Sequence, residues 1–94
     1  MMKNRSRFEI VFMILDAVRQ GDATRTKIMY KAYLSYMQVK EYMSHMEQSA
    51  LIQYEGGTQV YRITDKGRKL MHLYEEIVEM VSSGQEDGFL KVQV

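Results

Sequence analysis

The chain has 94 residues, 46% of them apolar, which is enough for one folded domain and little more. It contains no Cys, which removes disulfides, thiolate metal sites and a Cys nucleophile, and its longest apolar run, Ile10 to Leu15, falls far short of the roughly 20 residues a membrane span needs. Net charge is +1 but unevenly spread: residues 1–69 hold 12 Lys/Arg against 7 Asp/Glu, a net +5, whereas residues 70–94 are net −4, as expected when a phosphate-facing body is joined to a segment that faces something else.

The first segment opens with Lys3, Arg5 and Arg7 before an apolar stretch. Glu9 and Asp16 bracket that stretch and no small-residue cleavage site follows, so it reads as a helix and not as a secretory leader; a cytoplasmic location is expected. The helix is predicted over 5–20, with Gly21 as its left-handed stop. Phe8, Val11, Phe12, Leu15 and Val18 mark one apolar face, and Ile10, Met13, Ile14 and Ala17 a second. A helix apolar over most of its circumference is buried on more than one side. Ile10, Met13 and Ile14 are therefore expected to meet a partner subunit.

Asp22 to Thr24 offer caps for a short helix over 25–32, with Ile28 and Met29 toward the core. Tyr33-Leu34 is a turn. Ser35-Tyr36-Met37-Gln38 has the spacing of a capping box, in which the Ser caps the start and the Gln reaches back to it. The third helix then runs to about Gln48, with Val39, Tyr42, Met43, Met46 and Ala50 along one stripe. Two strands, 51–54 and 59–63, flank the Gly-containing turn Glu55-Gly56-Gly57-Thr58 and form a hairpin. Thr64 caps a fourth helix over 65–83, in which Leu70, Leu73, Ile77 and Met80 recur at 3 and 4 residues with Tyr74 and Val81 beside them. A polar linker and a tail occupy 84–94.

The expected fold is thus mainly α with a small β-hairpin, in winged helix-turn-helix order. Residues 1–64 would form the DNA-binding part and 65–83 a dimerisation helix of the same domain. An α-helix fits the major groove of B-DNA, and the helix before it crosses the backbone to hold it there. The third helix turns Met37, Lys40, Glu41 and Ser44 away from its apolar stripe, with Ser35, Tyr36 and Gln38 at its start. Gln can bond adenine, Lys can bond guanine or phosphate, Glu can accept from cytosine, and Met can touch a thymine methyl. Arg25, Thr26, Lys27 and Lys31 on the second helix are candidate phosphate contacts. So are Arg5 and Arg7 on an N-terminal arm, and Thr58, Gln59 and Arg62 on the wing. Cations in the first turns of the second and fourth helices oppose the helix dipole, which an anionic partner would reverse.

The chain resembles the small archaeal winged-helix DNA-binding proteins that dimerise through a long C-terminal helix as an antiparallel coiled coil. The resemblance rests on Thr26-Lys27-Ile28-Met29-Tyr30-Lys31-Ala32, on Leu34-Ser35-Tyr36-Met37-Gln38-Val39-Lys40-Glu41-Tyr42, on Ala50-Leu51-Ile52 and on Tyr61-Arg62-Ile63-Thr64-Asp65-Lys66-Gly67. It covers about residues 5–83; the shorter last helix and the added tail depart from it. It implies a homodimeric protein that binds double-stranded DNA; sequence-reading or low-specificity binding is expected, in the role of a transcriptional regulator. A seam of Ile10, Met13, Ile14, Leu70, Leu73, Tyr74, Ile77, Met80 and Val81 is the expected dimer interface. The rival expectation is a winged-helix module that binds another polypeptide, favoured by the exposed Tyr36 and Met37 and the uncharged wing tip.

No nucleophile elbow, phosphate loop or dinucleotide fingerprint is present. Glu75, Glu76 and Glu79 read as a solvated helix face. His45 and His72 are isolated apart from the i, i+4 pair His72 and Glu76. No catalysis, cofactor, metal or small-molecule ligand is expected.

Overall fold

The computed structural model describes residues 5–82. The expected linker and tail over 84–94, and the cation Lys3, lie outside the described residues. Four helices and one hairpin follow in the expected order: α1 (Arg7–Arg19), α2 (Arg25–Lys31), α3 (Tyr36–Gln48), β1 (Ile52–Glu55), β2 (Val60–Ile63) and α4 (Asp65–Ser82).

Local chemistry sets the boundaries. At α1, Ser6 Oγ accepts from Glu9 N at 3.0 Å while Glu9 Oε1 accepts from Ser6 N at 2.8 Å, a complete capping box. Thr24 Oγ1 caps α2 by accepting from Lys27 N at 3.2 Å. The box expected at α3 is present: Ser35 Oγ accepts from Gln38 N at 3.1 Å, and Gln38 Oε1 accepts from Ser35 N at 3.0 Å.

α1 is the central element. It packs against α2, β2 and α4 within one chain, so its two apolar faces are both consumed internally. Ile14, Leu15, Ile28, Val39 and Met43 are the largest fully buried side chains. This corrects the expectation that Ile10 and Ile14 meet a partner: Ile10 is buried and Ile14 has 0% exposure, so neither has surface to offer. Phe8, expected on the buried face, is 75% exposed; its ring lies 6.3 Å from that of Phe12, one turn short of where α4 covers α1. Phe12 in turn stacks on Tyr74 of α4 at 3.8 Å between centroids.

The hairpin pairs Ile52 with Ile63, Gln53 with Arg62, Tyr54 with Tyr61 and Glu55 with Val60. Its loop is therefore Gly56-Gly57-Thr58-Gln59, one residue later than the sequence suggests, because Gln59 takes a left-handed conformation (φ 61°) and leaves the strand. α4 starts hard against the hairpin. Thr64 Oγ1 accepts from Gly67 N at 3.0 Å and donates to the Ala50 carbonyl at 2.6 Å, so one hydroxyl both caps α4 and ties it to the α3–β1 connection. Lys66 Nζ donates to the Ser49 carbonyl at 2.8 Å. The phrase Thr-Asp-Lys-Gly is thus a docking motif in physical terms: cap, cation on a helix-end carbonyl, and a glycine where α4 meets the Leu51 carbonyl.

Candidate nucleic-acid interface

α3 is amphipathic as expected. Val39, Met43 and Met46 are buried, and Met37, Lys40, Glu41 and Ser44 are all exposed on the other side. With His45 and Gln48 they line one open depression along the helix. No described part of the chain lies over this face, and Met37 is 69% exposed. Among the described residues Lys40 has no ion-pair partner, so its ammonium is available to an incoming anion. Arg7 lies at the edge of this surface, sharing a smaller depression with Val11, Glu41, Tyr42, His45 and Met46.

Several other expected contact residues are engaged within the chain. Arg5 folds back over the end of α2, where its guanidinium donates to the carbonyls of Ala32 (2.5 Å) and Tyr33 (2.8 Å). Those are the orphan acceptors of a helix end, and Tyr33 sits at φ 55° in the turn that Arg5 secures. The expectation of Arg5 as a phosphate-reaching arm is corrected accordingly: it fastens the turn of the helix-turn-helix. Ser35 and Gln38 are likewise occupied by their cap. The Gln38 carbonyl oxygen already accepts from Ser35 N, so a base contact by Gln38 would use its amide nitrogen or share that oxygen with the cap.

Lys27 pairs with Asp22 at 2.7 Å and Lys31 donates to Gln20 Oε1 at 2.6 Å. Both pairs are exposed, so each is a weak constraint that a phosphate can displace. The Lys27 hydrogen bond and charge hold the Asp22 carboxyl below its ordinary pKa. On the wing, Arg62 pairs with Glu55 at 2.5 Å and lowers the pKa of that carboxyl. Thr58 and Gln59 are exposed at the loop.

Arg25 is differently placed. Its Nη2 donates to the Tyr61 hydroxyl at 3.1 Å, and that contact, with a smaller one from Tyr36, raises its pKa further. It lines a cleft of about 570 Å³ together with Thr24, Thr26, Glu47, Tyr54, Gln59 and Tyr61. The cleft brings the start of α2, the end of α3 and the hairpin together. Arg25, Thr26 and Gln59 were expected at a site; Glu47, Tyr54 and Tyr61 were not. No local signal marks them, because only the hairpin register and the docking of β2 on the α1–α2 connection bring them to the cleft.

α4 presents the second surface. Its inner side buries Gly67 and Met71 and half-buries Leu70 and Tyr74. Arg19 bridges the two helices, bonding Glu75 at 2.8 Å and Asp16 at 2.9 Å. Beyond that anchor Leu73, Ile77, Met80 and Val81 are exposed, Ile77 at 59% and Met80 at 76%. His72 Nε2 and Glu76 Oε2 are 3.3 Å apart, and among the described residues no third candidate joins them as a metal ligand. Among the same residues no helix is long and apolar enough to cross a membrane.

A three-helix core with the third helix displayed and an antiparallel hairpin beside it defines a winged helix-turn-helix domain. The chain matches the model of the winged helix-turn-helix family over residues 4–82 and belongs to that family. It is similar to the uncharacterized protein MJ0287 of Methanocaldococcus jannaschii, 29% identical over 79 residues that make up 84% of this chain and 79% of that one. It is also similar to the uncharacterized protein MJ0290 of the same organism, 32% identical over 77 residues; there the match spans 82% of this chain but only 36% of the longer relative. Among solved structures it is similar to Sso10a-2, a DNA-binding protein from Sulfolobus solfataricus, with a TM-score of 0.68, 26% identity and 83% of each chain covered.

Proposed function

We propose that this chain is a non-enzymatic, double-stranded DNA-binding protein that acts as a homodimer in the cytoplasm and serves as a transcriptional regulator. The observation that carries the DNA reading is the uncovered face of α3, where Met37, Lys40, Glu41 and Ser44 point outward with no described part of the chain above them. A helix so displayed fits the major groove. Lys40 and Glu41 supply opposite hydrogen-bonding demands, which supports a sequence-reading role over low-specificity binding by charge alone. Arg7 beside this face and Lys27, Lys31 and Arg25 on α2 are the candidate phosphate contacts, with Thr26, Thr58 and Gln59 as polar ones. The DNA-binding description of Sso10a-2, similar in fold at 26% identity, supports the same reading.

The apolar stripe of α4 supports the homodimer. Leu73, Ile77, Met80 and Val81 form a row of exposed large apolar side chains on one helix, and such rows mark interfaces. Leu70 and Tyr74 adjoin it on the same helix, and Met13 of α1 shares a depression with Tyr74. α4 is also polarised, with Lys66, Arg68 and Lys69 near its start and Glu75, Glu76 and Glu79 in its second half. Antiparallel pairing of two such helices sets unlike charges side by side.

The test is a mobility shift of random-sequence duplex at about 50 and 200 mM salt. With roughly four to six phosphates neutralised, affinity is expected to fall on the order of a hundredfold or more between the two. Absence of binding even at low salt would defeat the DNA reading and favour a protein-interaction module, to which the exposed Tyr36 and Met37 would then belong. Sedimentation of the free protein reports the dimer independently.

A further inference from the structure

The wing carries no cation at its loop, Gly56-Gly57-Thr58-Gln59, and Arg62 on its second strand is tied to Glu55. The usual reason for a wing, a basic tip laid on the DNA backbone, is therefore weak in this chain. β2 nevertheless makes two links to the helix-turn-helix half from one residue. Tyr61 N donates to the Ala23 carbonyl at 2.9 Å, in an isolated antiparallel bridge, and the Tyr61 hydroxyl accepts from Arg25 at 3.1 Å.

The Tyr61 side chain is suited to hold something still. The residue is 4% exposed, and its ring lies 4.9 Å from that of Tyr54 across the hairpin. A buried ring has few rotamers, so the hydroxyl at its end is a fixed point. Arg25 is exposed and long. Left alone, such a side chain loses much of its rotamer freedom when a ligand fixes it. The contact with Tyr61 uses one of the five N–H donors of the guanidinium, which leaves the rest of the fork directed at the cleft between α2, α3 and the wing. Thr24, Thr26 and Gln59 line the same cleft and add neutral polar atoms, while Glu47, which also lines it, disfavours an anion beside its carboxylate. Among the described residues Arg25 is the one cation of that lining and is thus the side chain to meet a phosphate there.

We infer that Tyr61 is a positioning residue for DNA binding: its hydroxyl holds Arg25 in place for one backbone phosphate, so the wing acts through a helix-borne cation and not through its own tip. This rests on the DNA reading above. The contribution of the hairpin is then a matter of orientation, and the phenol is the atom that delivers it.

A double-mutant cycle on random-sequence duplex tests this, with the thermal midpoint of each variant as a control for the fold. Tyr61→Phe keeps the ring and removes only the hydroxyl. It is expected to weaken binding roughly three- to tenfold, the value of one hydrogen bond. Arg25→Ala is expected to weaken it at least as much and to reduce the salt slope by about one unit. In the Arg25→Ala background, Tyr61→Phe should cost nothing more. If Tyr61→Phe costs the same in both backgrounds, the hydroxyl acts through the fold or on the DNA directly, and the inference fails. It also fails if the native chain binds while either single variant binds equally well. A native chain that does not bind duplex at low salt defeats the underlying reading instead. Should Tyr61→Phe fold poorly, Arg25→Lys serves: it keeps the charge and loses the fork, so undiminished affinity would show that charge alone matters and overturn the positioning role.

Discussion

Gly67 in the first turn of α4 lies directly against the carbonyl oxygen of Leu51. A Cβ built at Gly67 would fall inside van der Waals contact of that oxygen and 2.8 Å from Ile63 Cγ1. Leu51 O also accepts from Thr64 N at 3.1 Å, so the oxygen cannot retreat without breaking the link that starts α4. Helix propensity alone predicts that Gly67→Ala stabilises by about 1 kcal/mol. The close approach predicts the opposite sign, a loss of about 1 to 3 kcal/mol, as for other overpacked sites. The denaturation midpoint decides between them, and a more stable variant would show that α4 can shift away from the hairpin.

Arg5 offers a prediction of a different kind, because its charge and its contacts point to different roles. As a phosphate contact, Arg5→Ala would lower DNA affinity and salt slope and leave the melting temperature alone. As the clamp on Ala32 O and Tyr33 O, it should lower stability by about 1 kcal/mol, with little change in salt slope. Melting curves and salt titrations on the same preparation separate the two; a changed slope with unchanged melting would return Arg5 to the DNA.

The difference between what the sequence discloses and what it hides follows from contact range. The capping box of Ser35 and Gln38 spans three residues, and the buried stripe Val39, Met43 and Met46 follows helical spacing, so both are legible locally. The Arg5 clamp joins residues 27 and 28 apart, and the contact between Arg25 and Tyr61 joins residues 36 apart; no periodicity announces either. Ile14 illustrates the middle case. Its helix reads as apolar over most of its circumference, but a sequence pattern does not say whether a second apolar face meets another chain or the same one, and here the same chain buries Ile14. Basic residues are the hardest to place, since Lys66, Arg5 and Lys31 look alike in sequence whether they end on a carbonyl, a side chain or a phosphate.

Acid should weaken the hairpin through Glu55. Its carboxyl has a folded pKa below the ordinary 4.5, first because Arg62 hydrogen-bonds it. A depressed folded pKa means the stabilisation is fully present above the ordinary value and is lost as pH falls through it toward the folded one. Arg62→Ala should therefore lower the melting temperature slightly at pH 7, and the gap to the native chain should narrow in acid, below the ordinary carboxylate range. Both side chains are well exposed, so the effect is small. An equal gap at pH 7 and in acid would mean that Arg62 acts by packing and not by charge.

Substitutions on α1 and α4 should separate core from interface. Ile77→Glu places a charge on an exposed apolar row; it should yield folded monomers by sedimentation and abolish the dependence of melting temperature on protein concentration. Ile14→Glu buries an unpaired charge in the core and should prevent folding at any concentration. An Ile77→Glu protein that stays dimeric would remove α4 from the interface.

Lys40 and Gln38 stand two residues apart at the start of α3 yet should respond differently. Lys40 is exposed and, among the described residues, without an ion-pair partner, so Lys40→Ala should leave the melting temperature nearly unchanged while weakening DNA binding. If it meets a phosphate, the loss is uniform across sequences and the salt slope falls by about one unit; if it meets guanine, the loss concentrates on the preferred site. Gln38 completes the cap of α3, so Gln38→Ala should cost about 1 kcal/mol of stability. Its effect on DNA should follow from loosening the helix start. Restoring the reach with Gln38→Glu, which can also accept from Ser35 N, should recover the stability but not the affinity, because it adds negative charge beside the phosphates. Equal affinity for the Glu and Gln forms would place residue 38 away from the DNA altogether.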